Sequence, residues 1–337
     1  MSSVASQMDL TDRSLLNIVQ SSFPLVEEPY RELGSRLEIP EAEVIERLKR
    51  LKNLHLLRQI SAIFDTRRLG YKSTLVAMRY PPEQLDRSAK EINRHPGVSH
   101  NYARDGYFNL WFTLAVAPSE SLEETIEEMA RRTGAEAFRL LPTLRLFKIG
   151  VNFDMVQGNG TAHDHPRPDG QVAPQDAEVS RGEALTEFEI GAIRELQEDL
   201  SLIPRPFDDM SRRLNMATQE LFGLADSFQR RGIMRRYSAV LHHQSAGFTA
   251  NAMAVWRVPP ERSEEVGRVM ASSPWVTHCY QRPTFPDWPY SHFSMIHSTT
   301  QRQCEEIARE ISRETGITDY TMVYSTHEYK KTRVRYF

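Results

Sequence analysis

Pro96-Gly97-Val98-Ser99-His100-Asn101-Tyr102 returns, diverged but recognisable, as Pro274-Trp275-Val276-Thr277-His278-Cys279-Tyr280. Outward from this pair the correspondence continues in order and at nearly constant spacing. Leu57-Arg58-Gln59-Ile60-Ser61-Ala62 corresponds to Met234-Arg235-Arg236-Tyr237-Ser238-Ala239, and Arg79-Tyr80-Pro81-Pro82-Glu83 to Arg257-Val258-Pro259-Pro260-Glu261. At the outer ends Leu10-Thr11-Asp12 matches Leu185-Thr186-Glu187, and Phe147-Lys148 matches Tyr329-Lys330. Self-similarity that keeps its order over so long a period is the mark of a duplicated module.

Length and composition agree with two modules. A chain of 337 residues suggests about two domains of ordinary size. With 40% hydrophobic, 26% charged and 9% aromatic residues it has a globular profile, not a disordered or fibrous one. No apolar run approaches the roughly 20 residues that span a bilayer, so no membrane partner is expected. Met1 to Gln7 has neither the basic region nor the apolar core of a secretory leader. Cys279 and Cys304 make no disulfide framework and show no CxxC metal spacing. These features predict a cytoplasmic protein. A formal charge of −3 gives no overall basic field for holding nucleic acid.

Residues 157–182 are rich in Gly, Pro, Asp and Gln and read as a flexible linker, with His163 and His165 solvated inside it. On either side the same plan is expected. In the first module, residues 1–65 show three short helical patterns (Asp12 to Gln20, Pro29 to Leu37, Glu41 to Leu54) with a break at Glu38-Ile39-Pro40, which predicts a helix-turn-helix. A short strand pair is expected near Leu57 to Phe64. Residues 66–156 then alternate strand and helix as βαββαβ, with strands over 72–80, 98–104, 107–116 and 137–148, a ferredoxin-like order. Residues 183–242 and 243–337 repeat the two parts. The fold class is α+β, in two tandem modules.

Strand alternation places Val98, His100, Tyr102 and Arg104 on one face, and Val276, His278, Tyr280 and Arg282 on the matching face of the second copy. A His-Tyr-Arg row retained in both copies favours a shared ligand surface, although common descent alone also accounts for it. The second half is richer in histidine: His242, His243, His278, His292, His297 and His327 against His55, His95 and His100. No pair has zinc-site spacing, so no structural metal is expected. Alternation puts His292 and His297 on opposite faces, so only one of them should face a ligand. The candidate recognition helix opens with Glu41, Glu43 and Glu46, with Arg47, Lys49, Arg50 and Lys52 further on, which is poor for reading bases. DNA is therefore not an expected partner.

The module order resembles that of the Lrp/AsnC transcriptional regulators. More particularly, HPGVSHNYARDGYFNLWFTL (His95 to Leu114) is similar to the signature of one siroheme decarboxylase subunit, and WVTHCYQRPTFPDWPYSHFSMIH (Trp275 to His297) to that of its companion. The chain thus resembles a fused two-subunit siroheme decarboxylase of the heme d1 type; a related two-subunit enzyme serves a route to heme b. The resemblance implies loss of carbon dioxide from two acetate side chains of siroheme, giving 12,18-didecarboxysiroheme. It also implies an intramolecular pseudo-dimer, with dimers of the fused chain equally open. No further cofactor is expected, because the iron arrives with the substrate.

The residues suit such a substrate. Its carboxylates call for Arg58, Arg104, Arg235, Arg236, Arg282, Lys148 and Lys330. Its apolar ring calls for Tyr102, Trp111, Tyr280, Trp288 and Tyr290. His100 and His278, then His297, are the candidates for a general acid of suitable pKa, one of them alternatively ligating the substrate's iron. Histidine content points to one composite site built mainly from the second half. A DNA-binding regulator and a tetrapyrrole-binding sensor without catalysis remain as alternatives.

Overall fold

The computed structural model describes residues 8–149, 185–241 and 250–337. The expected linker, with His163 and His165, lies outside the described residues, as do His242 and His243.

Helices α1 (Leu10–Ser21), α2 (Pro29–Leu37) and α3 (Glu41–Asn53) form the first helix-turn-helix. Asp9 caps α1, with Asp12 completing a capping box. The α2–α3 turn is tight: Glu38 takes a left-handed φ of 56°, and a Cβ at Gly34 would come 2.5 Å from the Ile39 carbonyl. In the second half α6 (Glu187–Leu196), α7 (Asp208–Arg213) and α8 (Thr218–Arg230) take the same places. The expected strand pair at Leu57 to Phe64 is instead one strand, β1 (Leu57–Phe64), and its partner comes from the other half. It runs antiparallel to β7 (Met234–Leu241), with Ser61 opposite Ser238. A single hydrophobic cluster, including Leu15, Leu48, Ile193, Phe228 and Tyr237, therefore joins both helical parts into one body.

The first sheet follows the ferredoxin-like order through β2 (Lys72–Arg79), α4 (Pro82–Ile92), β3 (Val98–Arg104), β4 (Leu110–Val116), α5 (Leu122–Thr133) and β5 (Ala137–Leu141). The expected closing strand over 137–148 is two strands. After β5, which pairs with β2, the chain crosses over as β6 (Arg145–Ile149). The second half contributes β8 (Ala250–Trp256), α9 (Ser263–Ser272), β9 (Val276–Gln281), β10 (His292–Ser298), α10 (Gln301–Thr315) and β11 (Tyr320–Lys331). β6 pairs with β9. In the converse exchange, β11 pairs with β8 over Tyr320 to Tyr324 and with β3 over Ser325 to Lys331.

The result is one nine-stranded sheet of order β5-β2-β4-β3-β11-β8-β10-β9-β6. Its two end strands are consecutive pieces of chain separated only by residues 142–144. At about 3.5 Å per residue the ends cannot be far apart, so the sheet must curl round on itself. The helices cover the outside: α4 and α5 pack on one apolar cluster with Val76, Val98 and Phe112, and α9 and α10 on another with Ala254, Val276 and Ile296. On the inner side a mixed cluster joins Phe108 and Trp111 of the first half to Trp288 and Phe293 of the second.

Candidate functional site

Between the inner faces of the sheet and the strand ribbon β1–β7 lies a cavity of about 930 Å³, at the upper end of the range that holds cofactor-sized ligands. A bulge decides what faces it. In β3 the register slips at Ser99, between Val98 and His100, and in the second copy it slips at Thr277. Such a bulge re-aims the residues after it. Val98 and Val276 therefore turn outward into the helix-covered cores, contrary to the uniform row that alternation predicts. His100, Tyr102 and Arg104, with His278, Tyr280 and Arg282, line the cavity.

The two rows are built alike. His100 Nδ1 lies 3.1 Å from Ser99 Oγ, and His278 Nδ1 lies 2.9 Å from Thr277 Oγ1. Each imidazole stacks on the next tyrosine, at 6.4 Å for Tyr102 and 6.1 Å for Tyr280. Above these rings lie Arg104, 5.5 Å from the Tyr102 centroid, and Arg282, 4.8 Å from that of Tyr280. Arg104 donates through Nη1 to the Val323 carbonyl at 3.0 Å, and Arg282 to that of Leu141. Both guanidiniums are almost wholly buried, and the Nε of each has no hydrogen-bond partner among the described residues. Burial pulls both arginines down to about 10. A buried donor left unmade is costly, and an anion in the cavity would relieve it.

The rows differ in what surrounds them. Ala115 N donates to Gly97 O just as His297 N donates to Trp275 O, so His297 stands where the first copy has Ala115. His297 lines the cavity. His292, on the other face of β10 as alternation predicts, is bonded to Ser291 and Ser263 and stacked on Phe147. Lys331 pairs in register with His100, whereas the register partner of His278 is Ile149. Burial and the Lys331 ammonium hold His297 down at about 4; burial, Lys331 and Arg58 hold His100 at about 4 as well. Both imidazoles are thus held neutral at pH 7 by their surroundings.

Several expected binding residues lie elsewhere. Lys148 donates to the Ser273 carbonyl, and Lys330 to those of Asn93 and His95. Arg235 pairs with Asp65 and is half exposed. Arg236 and Tyr290 do not line the cavity, and Trp288 stacks behind its wall on Phe108 and Trp111. Arg58 and Trp111 do line it. The cationic residues missed are Lys331, Arg333 and Arg335. They stand at alternating positions just past the last matched pair, a pattern visible in the sequence. The two carboxylates in the lining are both engaged, Glu198 by Arg335 and Asp199 by Lys52. Among the described residues no cluster has the make-up of a metal site.

The recognition helix α3 is internally neutralised. Arg47 pairs with Asp9, Asp12 and Glu43, Arg50 with Asp12, Lys49 with Glu46 and Lys52 with Asp199. Its basic side chains are thus committed to the protein's own carboxylates.

Duplicated helix-turn-helix parts joined to ligand-binding sheet domains define the class. A model of the AsnC-like ligand binding domain matches residues 68–148 and 245–330, and one of the siroheme decarboxylase NirDL-like HTH domain matches residues 12–58 and 190–235. A siroheme decarboxylase of Hydrogenobacter thermophilus is 40% identical over 324 residues, 96% of this chain and 94% of that protein. The siroheme decarboxylase beta subunit of Methanosarcina barkeri is 44% identical over 151 residues, covering 45% of this chain but 99% of its own. The crystal structure of the siroheme decarboxylase NirDL with an iron-uroporphyrin III analogue superposes with a TM-score of 0.75 at 34% identity, covering 97% of this chain and 94% of that one. The chain belongs to the siroheme decarboxylase family, in its fused form.

Proposed function

We propose that the chain removes carbon dioxide from two acetate side chains of siroheme, yielding 12,18-didecarboxysiroheme. The observation that carries this reading is the pair of buried guanidiniums, Arg104 and Arg282, facing one apolar-walled cavity with a donor each left over. Arginine suits planar carboxylates, and Trp111, Met253, Phe293 and Met295 offer a ring its apolar walls. In each step an acetate carboxylate leaves as carbon dioxide, its bonding pair stays on the methylene carbon, and one proton completes the methyl group. Electrons balance without an oxidant, so on this reading the reaction is non-oxidative and needs no further cofactor.

The proton source follows from charge. Burial is the largest cause holding His100 at about 4, with the cations Lys331 and Arg58 adding to it; substrate carboxylates offset those two cations and so raise its pKa. Lys331 acts on His297 in the same direction. The polyanion thereby helps to make the acid that protonates it. His100 and His297 share the reacting end: one donates the proton, and the other would ligate the substrate's iron. His278, with Ala115 in the position that matches His297, serves the opposite end. This centre takes His100 from the first half and His297 from the second, rather than arising mainly from the second half.

Anaerobic incubation with siroheme, followed by mass spectrometry of the extracted tetrapyrrole, tests the reading. Loss of two carbon dioxide units is expected. Siroheme bound and recovered unchanged would make the protein a sensor. No binding of siroheme, with retention of specific DNA, would make it a regulator, against which the ion pairs of α3 already weigh.

A further inference from the structure

The ribbon β1–β7 belongs to the helix-turn-helix body, yet its strand β1 roofs the cavity, and cations gather there. Arg58 on β1 donates to the Lys331 carbonyl at 2.8 Å. Arg333, two residues past β11, reaches back to β1 and donates to Ser61 Oγ at 3.0 Å and the Ala62 carbonyl at 3.2 Å. Both line the cavity. Arg236 on β7 is close enough to act on Arg333. Among the described residues the hydrogen-bond acceptors of Arg58 and Arg333 are all neutral, and no carboxylate lies within ion-pair distance of Arg58, Arg236 or Arg333. The titratable groups acting on Arg333 are Arg58, Arg236 and the Tyr336 hydroxyl, and burial with the two guanidiniums brings Arg333 down to about 10.

Partly buried guanidiniums that repel one another and lack a counter-charge destabilise the empty protein. An anion entering from the cavity removes that cost, and a carboxylate fits their planar donors. We propose that Arg333 and Arg58 form a carboxylate anchor in the roof of the cavity, so that the helix-turn-helix body binds substrate directly through Arg58. The proposal rests on the reading of the cavity as a tetrapyrrole site and assigns its roof a function. The module's basic helix is spent on internal ion pairs, while Arg58 on its strand β1 has no carboxylate partner among the described residues.

The test is equilibrium binding of iron-uroporphyrin III to the full chain, followed by visible absorption, with thermal unfolding of the ligand-free protein alongside. R333M and R58M are each expected to weaken binding by between about tenfold and a hundredfold, the range for a lost charge-assisted hydrogen bond. Ligand-free thermal midpoints should hold or rise, because a repulsion is removed. R333K should recover part of the affinity, and R94M, which removes an exposed charge paired with Glu91, should change nothing. Unchanged affinity in both R333M and R58M overturns the anchor while leaving the cavity reading intact. So does a lowered ligand-free midpoint with affinity lost equally in R333K, which would mark a structural tie. If R333M fails to fold, R58M and R333K decide by the same criteria. Wild-type protein that does not bind the porphyrin overturns both; wild-type protein that binds it but leaves siroheme intact overturns only the decarboxylase reading.

Discussion

Mild acid should destabilise this protein far more than its carboxylates would. Burial is the largest cause holding His100, His292 and His297 at about 4, against an ordinary imidazole value of 6.5. Below pH 6.5 the unfolded chain takes up protons at these positions, while the folded protein resists them until about pH 4. Their contribution is therefore intact above 6.5 and is lost as pH falls toward 4. At pH 5 an imidazole with those two values costs about 2 kcal/mol, and three cost about 6 kcal/mol. A typical domain has only about 5–15 kcal/mol to lose. The carboxylates held low, such as Asp9 and Asp65, start from 3.8 and titrate below this window. Urea unfolding at pH 7, 6 and 5 reads the loss directly. In H297Q the difference between pH 7 and pH 5 should shrink by about 2 kcal/mol, whatever the substitution does at pH 7. A wild-type difference below about 2 kcal/mol, or an identical one in H297Q, would refute the buried neutral imidazoles.

Three further outcomes are expected. H100A and H297A should each lower the decarboxylation rate by about 10²–10⁴-fold, the usual span for a lost general acid, and H278A by less; single-turnover assays with siroheme rank them. R104M and R282M should each weaken iron-uroporphyrin III binding by about tenfold or more in a titration, with little change in the thermal midpoint, because each leaves one carbonyl unpaired but removes a buried, incompletely satisfied charge. W288A should cost about 3–5 kcal/mol in denaturant unfolding, since it empties the space against Phe108 and Trp111.

Much of this was legible because duplication provides an internal control. The repeat located the His-Tyr-Arg rows, and alternation correctly separated His292 from His297. Alternation failed wherever the backbone slips. One inserted residue at Ser99 and another at Thr277 turned Val98 and Val276 outward. Irregularities in β11, between Ser325 and His327 and between Glu328 and Lys330, left Lys330 on backbone carbonyls and Lys331 in the cavity. Trp288 and Tyr290 read as ring walls by residue type, yet they pack behind the wall. Strand exchange was not legible, because periodicity says that residues 137–148 are extended but not which strand they join. The partnering of β1 with β7 was hidden for the same reason.

The strand exchanges also explain why the copies diverged where they did. β11 and β6 are related by the repeat, and each delivers its last residues beside the histidine of the opposite half: Lys331 beside His100, Ile149 beside His278. The Tyr-Arg pairs that line the cavity at its two ends are kept in both copies. The changes fall on neighbouring positions, with Ala115 against His297 on the cavity side and Ile149 against Lys331 in strand register. Had both ends kept a second histidine and a lysine, the cavity would offer two equivalent reacting ends. On the proposed reading, with one end stripped, a substrate held by both arginines meets its proton source in one place only. On the proposed reading, fusion fixes this asymmetry, because the reacting end needs His100 from one half and His297 and Lys331 from the other in a fixed ratio of one to one.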